Sequence, residues 1–492
     1  MKMLGVCERM TKKQLEFLKG SRKEKGNRYL IPLSGTLFML GVAMIAAGLI
    51  WFRPQGGLLR ASAESLPPLV PQTILRVHGS NTVGASLAPK LAEAYLTQLG
   101  ARRIEHLPAN KDGERYIRGV LPRGGPVDIE IHAHGSSTAF QDLEAGTCDI
   151  GAASRPIKRE ETERLGRLGF GVMNARDNEH VIALDGLAII VHPSNPVAKL
   201  SVEEIAQIFS GEVANWSLVG GEDRAISLYT RNNKSGTFDT FKTLVLRKTR
   251  HLGNWALRFE DSNKLRDGVL GDPGGIGFIG LPYIGDAKPI AVSDGDSRSF
   301  RPSYATVKSE DYPLSRRLFF YTAESPKNPH VLPFLTLARS NEGQRLARET
   351  NLVDLSLSTG LRLAGVLDPA SPERYLSMIR NAEYLSTLRF QSGENRLDSR
   401  AEDDLNRLVD FMKAPQNRDR EIIIIGHTDT LGKPEINLML SLERARSIQE
   451  ILLAEGISVA VTDGFGMEVP VASNESPEGR QRNRRVEIFL GG

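Results

Sequence analysis

Hydrophobic and polar positions divide the chain into four stretches. Leu30 to Phe52 runs for 23 positions without a charged residue, and about 20 apolar residues suffice to span a bilayer as a helix. Lys12, Lys13, Lys19, Arg22, Lys23, Lys25 and Arg28 precede it. Positive flanks stay on the cytoplasmic side, so the pattern predicts a cytoplasmic segment 1–29, a transmembrane helix 30–52 in a bacterial inner membrane, and export of everything after it. A cleaved signal peptide is the alternative, because Ala61-Ser62-Ala63 has the form of a cleavage site. It lies several residues past the apolar run, and the run is long for a signal sequence. Segment 53–72 carries Pro54, Gly56, Gly57, Pro67, Pro68 and Pro71 and reads as a linker.

From 73 to 365 the pattern alternates between the two periods of regular structure. Ile74 to Val77 is a short apolar strand, Leu87 to Leu99 has helical spacing, and Val127, Ile129 and Ile131 alternate with polar residues as in a half-buried strand. Repeated strand–helix units predict an α/β fold with a largely parallel sheet. A second linker is expected at 366–382, around Asp368-Pro369-Ala370-Ser371-Pro372. The remainder, 383–492, is a smaller α/β domain. In it the strand Ile422–Ile425 leads to a helix from Glu435 to Glu455, stopped by Gly456. Leu438, Leu442, Ala445, Ile448 and Leu452 form its expected buried stripe.

The chain has 492 residues, enough for two to four units, and 63 basic residues stand against 59 acidic ones. So even a balance gives no general reason to expect nucleic acid as a partner. A membrane between Cys7 and Cys148 would forbid a disulfide, and Cys148 reads as a small buried apolar residue. No Cys/His cluster has zinc-ligand spacing. His132 and His134 share one strand face and read as structural residues, so no metal is expected. Gly275-Ile276-Gly277-Phe278-Ile279-Gly280 matches a dinucleotide string, but Pro282 follows where that fingerprint needs a helix. With no nucleophile elbow and no P-loop, the chain is read as a non-enzyme without catalytic residues or cofactor.

Three places could hold an oxyanion. His78-Gly79-Ser80-Asn81-Thr82, His134-Gly135-Ser136-Ser137-Thr138 and Arg231 to Phe238 each follow a strand and put hydroxyls at a helix start. Helix starts offer unpaired N–H groups and the positive end of a dipole. Each loop alone reads as a simple cap before it reads as a ligand site; three in one α/β region, one with an arginine, favour a ligand.

These loops also belong to a wider set of phrases. Gly79-Ser80-Asn81-Thr82-Val83, Asp149 to Arg155, Leu200 to Gly211, Asn215-Trp216-Ser217, Arg231 to Thr237 and Asp272 to Phe278 occur in one order. In that order the region resembles the phosphate-binding periplasmic proteins of ABC importers. The resemblance implies a two-lobed type II periplasmic-binding-protein fold closing on phosphate or a similar oxyanion, with an ABC permease as partner. The contacts it implies are Ser80, Asn81, Thr82 and Val83 from the first loop, and Ser136 and Ser137 from the second. Arg231, Ser235, Gly236 and Thr237 come from the third, and Ser154 and Arg155 lie beside them. Many relatives carry an aspartate at the Arg155 position, where it accepts the proton of hydrogen phosphate. Here Asp149 or Asp239 could do that work, or selectivity against sulfate is looser.

In the last domain, Asn437, Ser441 and Arg444 share a helix face, and Asp429 sits just before the helix. A carboxylate and a guanidinium in one cleft suit a zwitterion, although a plain Asp429–Arg444 ion pair has the same spacing. Gly426-His427-Thr428-Asp429, Asn437-x2-Leu440-Ser441-x2-Arg444-Ala445 and Gly479-Arg480-x2-Asn483-Arg484-Arg485 resemble the OmpA C-terminal family. The resemblance implies non-covalent binding of the diaminopimelate stem peptide of peptidoglycan. Asp429 would take the amine and Arg444 the carboxylate, with Thr428, Asn437 and Arg484 completing the pocket. Gly464-Phe465-Gly466-Met467-Glu468 is one residue longer than the family phrase and is expected to alter only a turn. The alternative function is a membrane-to-wall tether whose middle domain binds another ligand or none.

Overall fold

In a computed structural model of the chain the described residues are 70–122, 125–233, 235–247, 249–295, 297–363, 371–390 and 396–491. The basic segment 1–29, the segment 30–52 and all but the last residues of the linker 53–72 lie outside them. Among the described residues, no helix is long and apolar enough to cross a membrane.

The middle region contains β1 (Gln72–Gly79), β2 (Arg102–Pro108), β3 (Glu114–Leu121), β4 (Gly125–Ala133), β5 (Ile150–Ala153), β6 (Glu179–Val191) and β7 (Lys199–Ser201). It continues with β8 (Ser227–Arg231), β9 (Leu257–Phe259), β10 (Gly275–Gly280), β11 (Lys288–Pro289), β12 (Ala291–Ser293) and β13 (Ser315–Tyr321). The main sheet follows the order β2-β3-β4-β1-β5-β13-β6-β10-β8-β9. Two lobes follow from one long strand. The first half of β6 pairs with β13 and its second half with β10, so β6 passes from one lobe into the other near Gly186. The sheet is mixed, which corrects the expectation of a largely parallel one. Only β4-β1-β5 and β10-β8-β9 are parallel, and β6 and β13 run antiparallel to their neighbours. The apolar residues of β1 explain its place: Leu75 and Val77 are buried beneath the helix Ala88–Gln98, which turns Leu91, Ala92, Tyr95 and Leu96 onto them. Cys148 is buried in the core, as expected of a small apolar residue.

The C-terminal region has the strand order β14 (Glu383–Arg389), β17 (Arg485–Leu490), β15 (Ile422–His427), β16 (Val459–Gly464). Helices Ser399–Lys413 and Pro434–Ala454 complete it. Within the expected linker 366–382, residues 366–370 lie outside the described residues. The rest is not a free connection: Glu373–Ile379 is a helix whose Tyr375 and Ile379 are buried with Tyr384, Ile425 and Phe489. The stripe on helix Pro434–Ala454 also needs correction. Ala445, Ile448 and Leu452 are buried, but Leu438 is 45% exposed, while Asn437, Ser441 and Arg444 face inward.

The middle and C-terminal regions form one compact unit, residues 71–492. Their contact is unusually ionic. Glu310 accepts hydrogen bonds from Arg317 (2.5 and 2.9 Å) and from Arg389 of β14 (2.9 Å), and pairs with Arg400 at 3.1 Å. Burial works to raise the Glu310 carboxyl, but Arg317, Arg400 and Arg389 outweigh it and hold it well below the usual range. Arg317 also reaches Asp398 at 2.8 Å, Arg176 reaches Asp403 at 2.6 Å, and Ser399 donates to Glu179 at 2.6 Å. Buried charges are tolerated only when paired, so the interface fixes one docking geometry.

Candidate functional site

The first two Gly-Ser loops converge because their strands, β1 and β4, are neighbours. The Ser80 amide donates to Ala152 O at 2.8 Å, and the His134 and Gly135 amides donate to Gly79 O at 2.9 and 2.7 Å. Gly79 has φ +135°, and a Cβ there would meet Ala152 O at 2.1 Å, so only glycine lets β1 and β5 end this close together. The loop after β1 runs through Asn81 and Thr82 into a π-helical turn, Val83–Leu87, that continues as the helix Ala88–Gln98. The Val83 amide turns back to Ser80 Oγ at 3.4 Å. Ser136, at the start of helix Ser136–Glu144, hydrogen-bonds Ser154 at the end of β5, with Oγ atoms 3.0 Å apart.

The third loop arrives from the other lobe. Ser235, Gly236 and Thr237 open the helix Gly236–Phe241, and Thr82 Oγ1 lies 3.3 Å from Gly236 O. A Cβ on Gly236 would lie 2.8 Å from Thr82 Cα and Oγ1. Arg231 does not join these groups: its guanidinium donates to Ser262 Oγ (2.5 Å) and Glu260 O (2.7 Å), with Nε buried and unpartnered. Burial lowers its pKa, against the pull of Asp261. The Asn81 Oδ1 is likewise buried without a partner among the described residues.

The residue that ties the loops together is Arg316 on β13, which sequence reasoning missed. It is 7% exposed and donates to Thr82 Oγ1 (2.6 Å), Gly236 O (3.2 Å) and Asp185 (3.2 Å), with Asp239 at 3.6 Å. Its cross-strand partner in the sheet is Asp185 of β6, so the paired strands themselves carry this pair. The available signal was two consecutive arginines opening the apolar strand Leu318–Tyr321.

The two carboxylates raised for the proton-accepting task separate cleanly. Asp149 accepts from the Arg76 backbone (2.9 Å), Nε (3.1 Å) and Nη2 (3.0 Å) and is committed to that arginine. Asp239 stays beside Arg316. Arg155 is not an uncompensated cation: it forms a two-pronged bond to Glu161 (2.9 and 2.7 Å), stacks on Phe140, and reaches Ser137 Oγ at only 3.4 Å.

In the C-terminal region Thr428, Asp429, Asn437, Arg444 and Arg484 are all buried. Asp429 pairs with Arg484 at 2.6 Å and accepts from the Leu431 amide at 3.0 Å. Asn437 donates to Asp429 O at 3.2 Å, and the Arg444 guanidinium lies over the Phe390 ring at 5.0 Å. Asp429 thus forms an ion pair with Arg484, a partner that the helical spacing of Asn437, Ser441 and Arg444 did not point to. Burial, then Arg484, brings Arg444 down to about 10 despite Asp429. The Thr428 hydroxyl is buried without a partner among the described residues. Met467 does more than lengthen a turn: its Sδ lies 3.9 Å from Asn437 Nδ2.

Comparison with known proteins follows the same division. Residues 124–342 match the PBP superfamily domain, and residues 389–484 match the OmpA family. Protein SphX of Synechococcus elongatus is 33% identical over 245 residues, covering 47% of this chain and 71% of that protein. The phosphate-binding protein PstS of Borreliella burgdorferi is 26% identical, covering 46% of this chain and 80% of that one. A solved structure of a possible phosphate binding protein from Planctomyces limnophilus aligns with 25% identity and a TM-score of 0.48, over 63% of this chain and 97% of that one. The chain therefore belongs, through its middle region, to the PBP superfamily that includes SphX and PstS, and it carries a C-terminal domain of the OmpA family.

Proposed function

We propose that the chain is a periplasmic phosphate-binding protein, anchored in the inner membrane by residues 30–52 and held to peptidoglycan by its C-terminal domain. The observation that carries the phosphate reading is the junction of Thr82, Gly236 and Arg316, where loops of both lobes meet beside the paired strands β6 and β13. Ser80, Asn81, Thr82, Val83, Ser136, Ser137, Ser154, Ser235, Gly236 and Thr237 surround the ligand in this reading, with Arg231 and Arg155 at its margin. Backbone N–H groups and hydroxyls take the oxygens, and Asp239 accepts the proton that hydrogen phosphate has and sulfate lacks. Arg155, neutralised by Glu161, does not compete with that discrimination. The protein binds and hands on its ligand, with an ABC permease the partner, and does no chemistry on it.

In the C-terminal domain Asp429 takes the ammonium and Arg444 the carboxylate of diaminopimelate, with Thr428, Asn437 and Arg484 completing the pocket. Phosphate titration of the purified full chain, followed by unfolding temperature, tests the first part. Ligand at 100 times its Kd adds about 2.7 kcal/mol of stability. No shift at millimolar phosphate overturns the receptor reading and leaves the wall tether. Equal shifts with phosphate and sulfate remove the role of Asp239.

A further inference from the structure

A second cluster lies on the first lobe, outside the loops described above. His78 and His132 are register partners on the parallel strands β1 and β4, and their rings stack at 3.9 Å. One ligand-type atom from each of His78, His132 and Asp142 lies within 4.8 Å of the other two. Glu130 Oε1 sits 3.1 Å from His78 Nε2 and 3.0 Å from His132 Nε2, and Asp142 Oδ2 sits 2.9 Å from His78 Nδ1. Glu114 and His134 extend the group, 3.0 Å apart.

The chemistry of His78 is the key. A neutral imidazole has one N–H, so it satisfies one carboxylate and turns a lone pair on the other. Carboxylates against both nitrogens therefore call for a cation between them, either a second proton or a metal ion. No lysine or arginine among the described residues pairs with Glu130 or Asp142. His78 is buried, whereas the side chains of His132 and Asp142 are 20% and 30% exposed, so an ion has a way in.

We propose that His78, His132 and Asp142 bind a divalent transition-metal cation of the zinc or cobalt type. Glu130 Oε1 lies within hydrogen-bond reach of Nε2 of both rings, so an outer carboxylate able to orient histidine ligands is in place, and binding turns the stacked rings out of parallel to bring their free nitrogens onto one ion. Two imidazoles and a carboxylate suit such metals better than calcium or magnesium. This assignment replaces the structural role read for His132 from the sequence. It does not depend on the phosphate reading, although His78 directly precedes the loop Gly79–Val83.

The test uses the full chain, freed of any affinity tag and treated with chelator, titrated with Zn2+ against a chromophoric competitor. One equivalent is expected to bind, and Co2+ in its place is expected to show visible absorption bands of a nitrogen-ligated ion. His132→Gln and the milder Asp142→Asn are each expected to weaken binding at least tenfold. His106→Gln, on β2 with β3 between it and β4, and paired with Glu93, is expected to leave it unchanged. Unfolding temperatures without metal establish that each variant folds. Failure of the wild-type chain to bind Zn2+, or equal binding by wild type, His132→Gln and Asp142→Asn, overturns the proposal.

Discussion

The candidate oxyanion site of the middle region is lined by hydroxyls and backbone amides, and Arg316, the cation at its centre, is already met by Asp185 and Asp239. The candidate pocket of the C-terminal region instead gathers Arg444 and Arg484 beside the buried carboxylate of Asp429. The first spreads recognition over many weak neutral donors, each worth about 1 kcal/mol. The second concentrates it in a few buried charges, where losing one strands another and costs about 3–5 kcal/mol. An anion that arrives with a proton to place suits the first design, and a zwitterion suits the second. The two designs respond differently to single substitutions, which makes the comparison breakable.

The largest effect is expected in the charged pocket. Asp429→Ala and Arg444→Ala should each abolish co-sedimentation with peptidoglycan sacculi; unchanged pelleting of both variants refutes the pocket. Next comes the one place where the middle site relies on charge. Arg316→Met leaves Asp185 and Asp239 facing the ligand, and calorimetry should find phosphate affinity lower by on the order of 100-fold, about 3 kcal/mol. A loss under threefold would show that Arg316 merely braces the paired strands.

Acid should cut across the comparison, because each region buries one neutral histidine. Burial, aided by Arg339 for His180 and by Arg485 for His427, holds both pKa values down to about 4. Between pH 6.5 and 4 the unfolded chain takes up these protons and the folded chain does not. Stability therefore falls as pH drops through that window, by up to about 3 kcal/mol for each residue. Urea unfolding of His180→Gln and His427→Gln should each show a flatter pH dependence than wild type; parallel curves would exclude both. The smallest change is expected from the hydroxyl design itself. Ser136→Ala should weaken phosphate binding about fivefold, about 1 kcal/mol, because one neutral hydrogen bond is removed among many. A loss as large as that of Arg316→Met would collapse the distinction between the two sites.

How well each site could be read from sequence follows the same contrast. The loops after β1 and β4 were legible because Gly-Ser before a helix is a local signal, and their strands, β1 and β4, are direct sheet neighbours. Arg316 was not, because it belongs to the site only through the pairing of β13 with β6, which brings residues 131 positions apart into contact. The mixed sheet was missed for a related reason: apolar runs mark strands but not their direction. In the C-terminal region, Asn437, Ser441 and Arg444 were legible from helical spacing alone. The Asp429–Arg484 ion pair was not, since it joins the ends of two separate elements 55 residues apart. The helix Glu373–Ile379 was read as a linker because Asp368 to Pro372 is rich in turn formers, a cue that marks where a helix begins as readily as where a domain ends.

The central claim is that one chain holds phosphate while it is held by the wall. Sacculi incubated with the purified full chain and radiolabelled phosphate, then pelleted and counted, test it directly. The account predicts one phosphate per pelleted chain, lost with Arg316→Met while pelleting persists. Pelleted protein that carries no phosphate above the Arg316→Met background would contradict it.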